Sequence, residues 1–240
     1  MAFTRKEFLK LGLVGGAGLA LSSGASASSP WGRVRTTGHL LPVRELKEWT
    51  GVPILVDGAQ SVGAIPVDAA GLDFYTVSGQ KWLCGPDSTG ALVVRDPERL
   101  RVARPSYFGQ KAFEPTGAFT ARPGAARFDP GWLALPTLEA LEAALDAAPE
   151  WRHEHAARMA ARCRELLADV VEVVTEPGHA TLVSFAVPGD AAEVAVRLFE
   201  DDGVVVRDMP GTGWVRASCG WWTSEDDLER LRTGLRRLTS

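Results

Sequence analysis

Residues 52–86 constrain the fold of this chain more than any other part of it. They contain two short apolar runs, 53–56 and 74–77, and each run ends at a polar residue. Short apolar runs bounded by Gly and Pro are typical of buried strands. Ligands of open α/β sheets bind beyond the carboxyl ends of such strands. The sequence therefore predicts that four polar side chains surround one crevice: Asp57, Gln60, Ser78 and Lys81.

The segments VDGAQSVG and VSGQKWLCGP within this stretch resemble class V aminotransferases, which are fold-type I pyridoxal phosphate (PLP) enzymes. That group includes cysteine desulfurases and isopenicillin N epimerase-like proteins. The resemblance implies an α/β fold, with a partial fold-type I large domain followed by a small α+β C-terminal domain. It also implies pyridoxal 5′-phosphate as the cofactor.

The same resemblance gives each of the four polar residues a role. Lys81 forms the internal aldimine, Asp57 pairs with the pyridinium nitrogen, Gln60 contacts the ring hydroxyl and Ser78 holds the phosphate. A carboxylate beside the pyridine nitrogen keeps it protonated, which makes the ring an electron sink. We expect burial near Trp82 to favour the neutral, nucleophilic form of the Lys81 amine and so imine formation. For either residue taken alone, the favoured interpretation is a turn residue for Asp57 and a solvated surface charge for Lys81. The joint pattern favours the cofactor.

The C-terminal segment WVRASCGWWTSEDDLERL resembles the family segment whose arginine binds the substrate α-carboxylate. The resemblance places Arg216 in that role, and a guanidinium can grip a carboxylate through two parallel hydrogen bonds. From the residue alone, a surface ion pair is the competing interpretation. The implied partners are an amino acid substrate and a second copy in a homodimer.

Two departures from the family bear on the reaction. The segment 127–132, RFDPGW, resembles the family's RFExGT element. In several members the final Thr of that element reaches the phosphate of the neighbouring subunit, and Trp132 occupies its position here. The segment 207–213, RDMPGTG, lacks the persulfide cysteine that cysteine desulfurases carry before the Arg216 strand. We expect Cys84, Cys163 and Cys219 to be free thiols, and their spacing predicts no metal site.

The N-terminal residues 1–29 have the architecture of a secretory signal. A basic start precedes the apolar core 11–21 and a small-residue cleavage pattern at 25–27. The apolar core is too short to span a bilayer. TRKEFLK resembles a twin-arginine signal in which Lys6 replaces the second arginine. We expect export to the periplasm or the exterior if the signal functions, and a cytoplasmic location otherwise.

The remaining chain divides into a partial PLP-binding domain over 30–149 and a C-terminal domain over 150–240. Apolar periodicity and capping residues predict helices near 43–49, 137–147 and 151–170, and helices that open at Asp190 and Ser224. Residues 101–126 are rich in Pro, Gly and Arg and predict an ordered loop region. Further strands are predicted at 90–94, 171–174, 181–187, 204–206 and 214–218. A net charge of −4 argues against a nucleic-acid surface.

Three hypotheses for function remain open at this stage. The first is an enzyme in which Lys81 moves the α-proton of an amino acid, which leads to transamination, epimerisation or elimination. The second is a non-catalytic truncated remnant, because intact family members have a long stretch before the segment that begins here at Thr36. The third is an interaction module that keeps only the C-terminal domain folded.

Overall fold

The computed structural model describes residues 38–132, 134–178 and 181–239, so the predicted signal at 1–29 lies outside the described residues. Within the described part, no helix combines the length and apolarity needed to cross a membrane. The elements, in chain order, are α1 (Val43–Thr50), β1 (Leu55–Asp57), β2 (Phe74–Ser78), β3 (Gly90–Val94), β4 (Gln110–Phe113), β5 (Phe119–Ala121), α2 (Leu135–Ala147), α3 (Arg152–Leu167), β6 (Leu182–Ala186), α4 (Ala191–Asp202), β7 (Arg207–Met209), β8 (Trp214–Ser218) and α5 (Glu225–Thr239).

The first sheet has the order β1-β2-β3 and is mixed. β1 runs parallel to β2, with Asp57 opposite Thr76, and β3 runs antiparallel to β2, with Gly90 opposite Ser78. Asp57 and Ser78 are thus the last residues of their strands, and the two strands end at the same edge of the sheet. The predicted strands carry these side chains to one edge, as expected.

The C-terminal sheet has the order β6-β8-β7 and is antiparallel. Residues of β6 and β8 that share one face, such as Phe185 and Val215, are fully buried. Helices α3, α4 and α5 cover that face and complete a core whose buried members all lie between Met159 and Leu235. This unit therefore has a hydrophobic core of its own, and the domain boundary near 150 stays a prediction.

Side-chain caps start the last two helices where the sequence predicts them. The Asp190 carboxylate accepts a hydrogen bond from the Ala192 amide at 2.8 Å. At α5, the Asp227 carboxylate accepts from the Ser224 amide at 2.9 Å, and the Ser224 hydroxyl accepts from the Asp227 amide at 3.2 Å. Such reciprocal bonds satisfy amides that have no partner within the helix.

The interpretation of 101–126 as a loop region is wrong, because β4 and β5 form a hairpin there. Its turn closes through a hydrogen bond from the Glu114 amide to the Ala118 carbonyl at 2.8 Å. Gly117 has a φ of +87°, a conformation that side chains disfavour. A short Gly-containing loop, here 114–118, is typical of a hairpin, but the Pro, Gly and Arg content of the whole region conceals it.

Two other predicted strands differ from the structure. Residues 171–174 form only an isolated bridge, from Val173 to Phe185. The strand expected at 204–206 lies instead at Arg207–Met209. Val204 and Val206 pack against the core after α4, so pairing with β8 begins only at Arg207. Apolar content alone does not distinguish a paired residue from one that packs beside the sheet.

Candidate functional site

The carboxylate of Asp57 is held at the end of β1 by local hydrogen bonds. Its Oδ1 accepts from the Ala59 amide at 3.0 Å and lies 3.4 Å from the Thr76 hydroxyl, which donates to it. The side chain nevertheless remains exposed. Ser78 ends the neighbouring strand two residues after Thr76 and is partly buried. A carboxylate and a hydroxyl thus stand at the same sheet edge, accessible to a ligand.

Lys81 lies in the turn that joins β2 to β3. Backbone hydrogen bonds fix this turn, from Gly79 to the Thr89 carbonyl and from Gly85 back to the Gly79 carbonyl, both at 2.9 Å. The expectation that Lys81 is buried near Trp82 is wrong. Trp82 takes the buried position, with 5% of its surface exposed, whereas Lys81 is exposed. Adjacent residues of the tight turn project in different directions, so Lys81 is exposed while its neighbour is buried.

Gln60 forms a hydrogen bond with Trp82, the residue that follows Lys81. The Trp82 Nε1 donates to Gln60 Oε1 at 3.0 Å. Gly63, with a φ of +89°, packs so closely that a Cβ would lie 2.7 Å from the Trp82 carbonyl carbon. The turn after β1 and the turn after β2 are therefore locked together. The Gln60 amide nitrogen has no hydrogen bond within the described residues, so it is available as a donor.

Trp82 also connects the first sheet to the C-terminal unit. It forms a buried cluster with Ala64 and Leu182, and Leu182 is the first residue of β6. Its ring centroid lies 5.9 Å from that of Trp222, which follows β8. One side chain thus bridges both turns of the first sheet and two segments of the second.

Arg216 lies on the face of the second sheet that meets Trp82. Side chains alternate along a strand, so Leu182 and Ser184 share the face opposite the helix-covered core. Ser184 is directly opposite Arg216 on β8, which places Arg216 on that same face. Burial lowers the pKa of the Arg216 guanidinium, and the positive charge of Arg207 lowers it further. The Nε of Arg216 is buried and has no hydrogen-bond partner among the described residues.

An unpaired buried donor is unfavourable unless something else satisfies it, and a carboxylate is the natural partner of a guanidinium. The arrangement therefore fits an anionic ligand between the two sheets. Asp57, Gln60, Ser78 and Lys81 occupy one edge of the first sheet and its turns, and Arg216 lies on the face of the second sheet whose Leu182 contacts Trp82. Their individual roles toward a cofactor remain predictions.

The cysteines lie away from the segment that carries the persulfide in desulfurases. Cys163 and Cys219 are each 1% exposed and belong to the C-terminal core, whereas Cys84 is exposed in the turn after Lys81. Trp132 is 76% exposed. In the part of the chain that the structure describes, no three His, Cys, Asp or Glu side chains cluster as metal ligands would.

Sequence reasoning missed the indole contact and the position of Arg207. Arg207 lies directly opposite Arg216 in the β7–β8 pairing. A four-residue segment, 210–213, separates the two strands and contains two glycines. That pattern is typical of a hairpin and indicates the register, whereas the expectation of one loop over 207–213 hides it.

Comparisons with known proteins agree with this architecture. The model of the family "Aminotransferase class-V" matches residues 33–231. Isopenicillin N epimerase of Streptomyces clavuligerus is 29% identical over 241 residues, covering 86% of this chain and 58% of that protein. Probable cysteine desulfurase 2 of Mycobacterium leprae is 32% identical, covering 84% of this chain and 54% of that protein. The chain spans a little over half the length of these two relatives.

Solved structures show the same fold. An apo cysteine desulfurase from Thermococcus onnurineus NA1 superposes with a TM-score of 0.75 at 24% identity, over 84% of this chain and 57% of that one. The cystine C-S lyase C-DES, in complex with cysteine persulfide, gives 0.76 at 24% identity, over 85% and 59%. A C-DES mutant with glycine covalently linked to its PLP cofactor gives the same score. The expected α/β fold of PLP enzymes is thus confirmed, and the chain belongs to the class V aminotransferase family.

Proposed function

We propose that this chain is a PLP-dependent enzyme that acts at the α-carbon of an amino acid. The observation that carries the proposal is Arg216, whose Nε is buried without a partner on the face that meets the lysine turn. A substrate carboxylate would satisfy that donor. It would also bring the α-amino group toward the side on which Lys81 is exposed.

The residues at the first sheet edge fit the cofactor chemically. A carboxylate such as Asp57, already oriented by Ala59 and Thr76, suits a protonated ring nitrogen. The Ser78 hydroxyl suits a phosphate oxygen, and the Gln60 amide nitrogen suits a ring hydroxyl. When bound, the cofactor supplies an electron sink that stabilises negative charge at the α-carbon. Lys81 is the amine that would hold it covalently.

Lys81 and Arg216 would have different roles toward the substrate, proton transfer and binding. Arg216 would bind the α-carboxylate through two hydrogen bonds and so fix which α-bond faces the lysine. Lys81, once displaced by the substrate amine, would accept the α-proton as general base. Transamination, epimerisation and elimination all begin with that proton transfer, and the proposal extends to this common step.

A second candidate is a chain that keeps the fold but not a competent cofactor site. The first sheet favours it, because Leu55 on β1 and Leu92 and Val93 on β3 expose 43–53% of their surface. Exposed apolar residues on outer strands invite association with another chain. A second copy of the chain would cover the same strands, and we propose that the enzyme works as such a homodimer.

The test combines cofactor binding with proton exchange. Purified chain is titrated with PLP by absorbance, and loss of the α-proton of amino acids in D₂O is followed by NMR. We expect one tightly held cofactor per chain and exchange that Lys81→Ala abolishes. Arg216→Lys should raise KM with cofactor binding unchanged, whereas the exposed control Arg101→Lys should change neither. Weak, substoichiometric cofactor together with no exchange would favour the second candidate.

A further inference from the structure

We propose that the substrate carries a second anionic group, bound by Arg207 beside the α-carboxylate on Arg216. This rests on the proposed function and adds the substrate class, a short amino acid with a carboxylate on its side chain. The basis is the cross-strand geometry of the two arginines and the absence of any acid that balances them in the described part of the chain.

The register places the two guanidinium groups on one face. Arg207 on β7 lies directly opposite Arg216 on β8, and Ser184 on β6 completes the row. Opposed residues of antiparallel strands project to the same side of the sheet. Asp208, the nearest carboxylate in sequence, follows Arg207 along the strand and therefore projects to the other side. The row faces the side where Leu182 meets Trp82.

The charges of Arg207 and Arg216 indicate that the pair binds a ligand. Like charges directly opposite each other destabilise a sheet, and the charge of Arg207 lowers the pKa of Arg216. Many arginines elsewhere in the C-terminal unit have acidic partners, as at Arg232 with Asp169 at 2.7 Å. Within the described residues, neither Arg207 nor Arg216 forms an ion pair. An anionic ligand would relieve the repulsion that the fold otherwise leaves in place.

The spacing limits the ligand. Opposed Cα atoms in antiparallel strands lie about 4.5–5.5 Å apart. Two guanidinium groups that start from such positions can reach both ends of a short dicarboxylate. Arg216, with its buried Nε, would take the α-carboxylate, and Arg207, which is exposed at the sheet edge, would take the side-chain carboxylate. Substrates with a neutral side chain would leave the positive charge of Arg207 without a counter-charge.

The test compares aspartate and glutamate with their neutral isosteres asparagine and glutamine in the α-proton exchange assay. We expect wild type to prefer the dicarboxylic substrates. Arg207→Ala should reduce their kcat/KM by about 10- to 100-fold, the effect of losing a hydrogen bond to a charged group. Exchange with the neutral isosteres should not fall, because Arg207→Ala removes a charge that those substrates leave uncompensated. Arg207→Lys should restore part of the preference, and the control Arg101→Ala should leave it intact.

A measurement that does not need the cofactor tests the inference about Arg207 separately from the proposed function. Calorimetric titration of the chain should show succinate binding more tightly than propionate, with the difference lost in Arg207→Ala. The melting temperature of Arg207→Ala should match or exceed that of wild type, since a repulsive charge is removed. Exchange without preference for dicarboxylic substrates, or equal binding of succinate and propionate, would overturn the inference. Selective succinate binding without any exchange would support it and overturn only the proposed function.

Discussion

The indole ring of Trp82 packs against that of Trp222, with centroids 5.9 Å apart and planes inclined by 31°. Trp82 directly follows Lys81 in the chain, and Trp222 lies six residues after Arg216. The contact therefore ties the lysine turn to the segment that carries the arginine. Because Lys81 itself is exposed, its position depends on the packing of its neighbour.

Replacing Trp82 should destabilise the chain strongly. Trp82→Ala removes a buried aromatic side chain and should lower the free energy of unfolding by about 3–5 kcal/mol. Trp82→Phe keeps much of the apolar contact but loses the hydrogen bond to Gln60, so its effect should be smaller. Urea unfolding measures both. Trp132→Ala, at a position that is 76% exposed, is the matched control and should change little. Equal stability of Trp82→Ala and Trp132→Ala would contradict this packing.

Borohydride reduction in the presence of PLP should place the pyridoxyl group on the peptide that contains Lys81. Lys47 forms an ion pair with the Asp73 carboxylate at 2.8 Å, and Lys111 is exposed on β4 of the hairpin. Peptide mapping by mass spectrometry identifies the labelled lysine. The variant Lys111→Ala should label as wild type does. Label found mainly on Lys47 or Lys111 would indicate nonspecific modification and weaken the assignment of Lys81.

We expect no cysteine desulfurase activity from this chain. The segment 207–213 has no cysteine, and Cys163 and Cys219 are each only 1% exposed in the core. A buried thiol cannot reach a substrate or hand its sulfur to an acceptor. A sulfide-release assay with L-cysteine and a reductant measures the activity. Sulfide release that Cys219→Ala or Cys84→Ser abolishes would show that another cysteine has taken over that role.

Stability should fall in acid through Asp73. A hydrogen bond from Lys47 and another from the Ile54 amide hold the pKa of the Asp73 carboxyl below its ordinary value. A carboxyl whose pKa is lower in the folded state stabilises the fold fully above its unfolded pKa of about 3.9. That contribution is lost as the pH falls through the folded pKa.

The variant Asp73→Asn should therefore lower the free energy of unfolding at pH 7 by about 1–3 kcal/mol, as expected for hydrogen bonds to a charged group. The difference from wild type should shrink as the pH falls below about 4. Denaturant unfolding across pH values measures this. The control Asp68→Asn, in an exposed pair with Arg44, should cost less than about 1 kcal/mol. A difference independent of pH would contradict the ionic origin of the effect.

Much of the local structure followed from short-range patterns. The apolar runs that end at Asp57 and Ser78 became strands whose last residues are those two, because apolar β-formers between Gly and Pro favour strands. The expected burial does not hold for β1, where Leu55 is 53% exposed. The caps at Asp190 and Ser224 also follow from chemistry within one helical turn. The hairpin at Gln110–Phe113 and Phe119–Ala121 does not follow from composition, because the Pro, Gly and Arg content of 101–126 is equally typical of a loop.

The sequence by itself determined the family, the strand ends that carry Asp57 and Ser78, and the candidate lysine, since these depend on neighbours within a few residues. Only the tertiary structure decided that Trp82 rather than Lys81 is buried, and that Arg207 and Arg216 share one face of the second sheet. The reason is physical. Which of two adjacent side chains in a turn is buried depends on a partner such as Trp222, 140 residues away in the chain. Cross-strand register likewise depends on where pairing begins, which the packing of the valines after α4 sets.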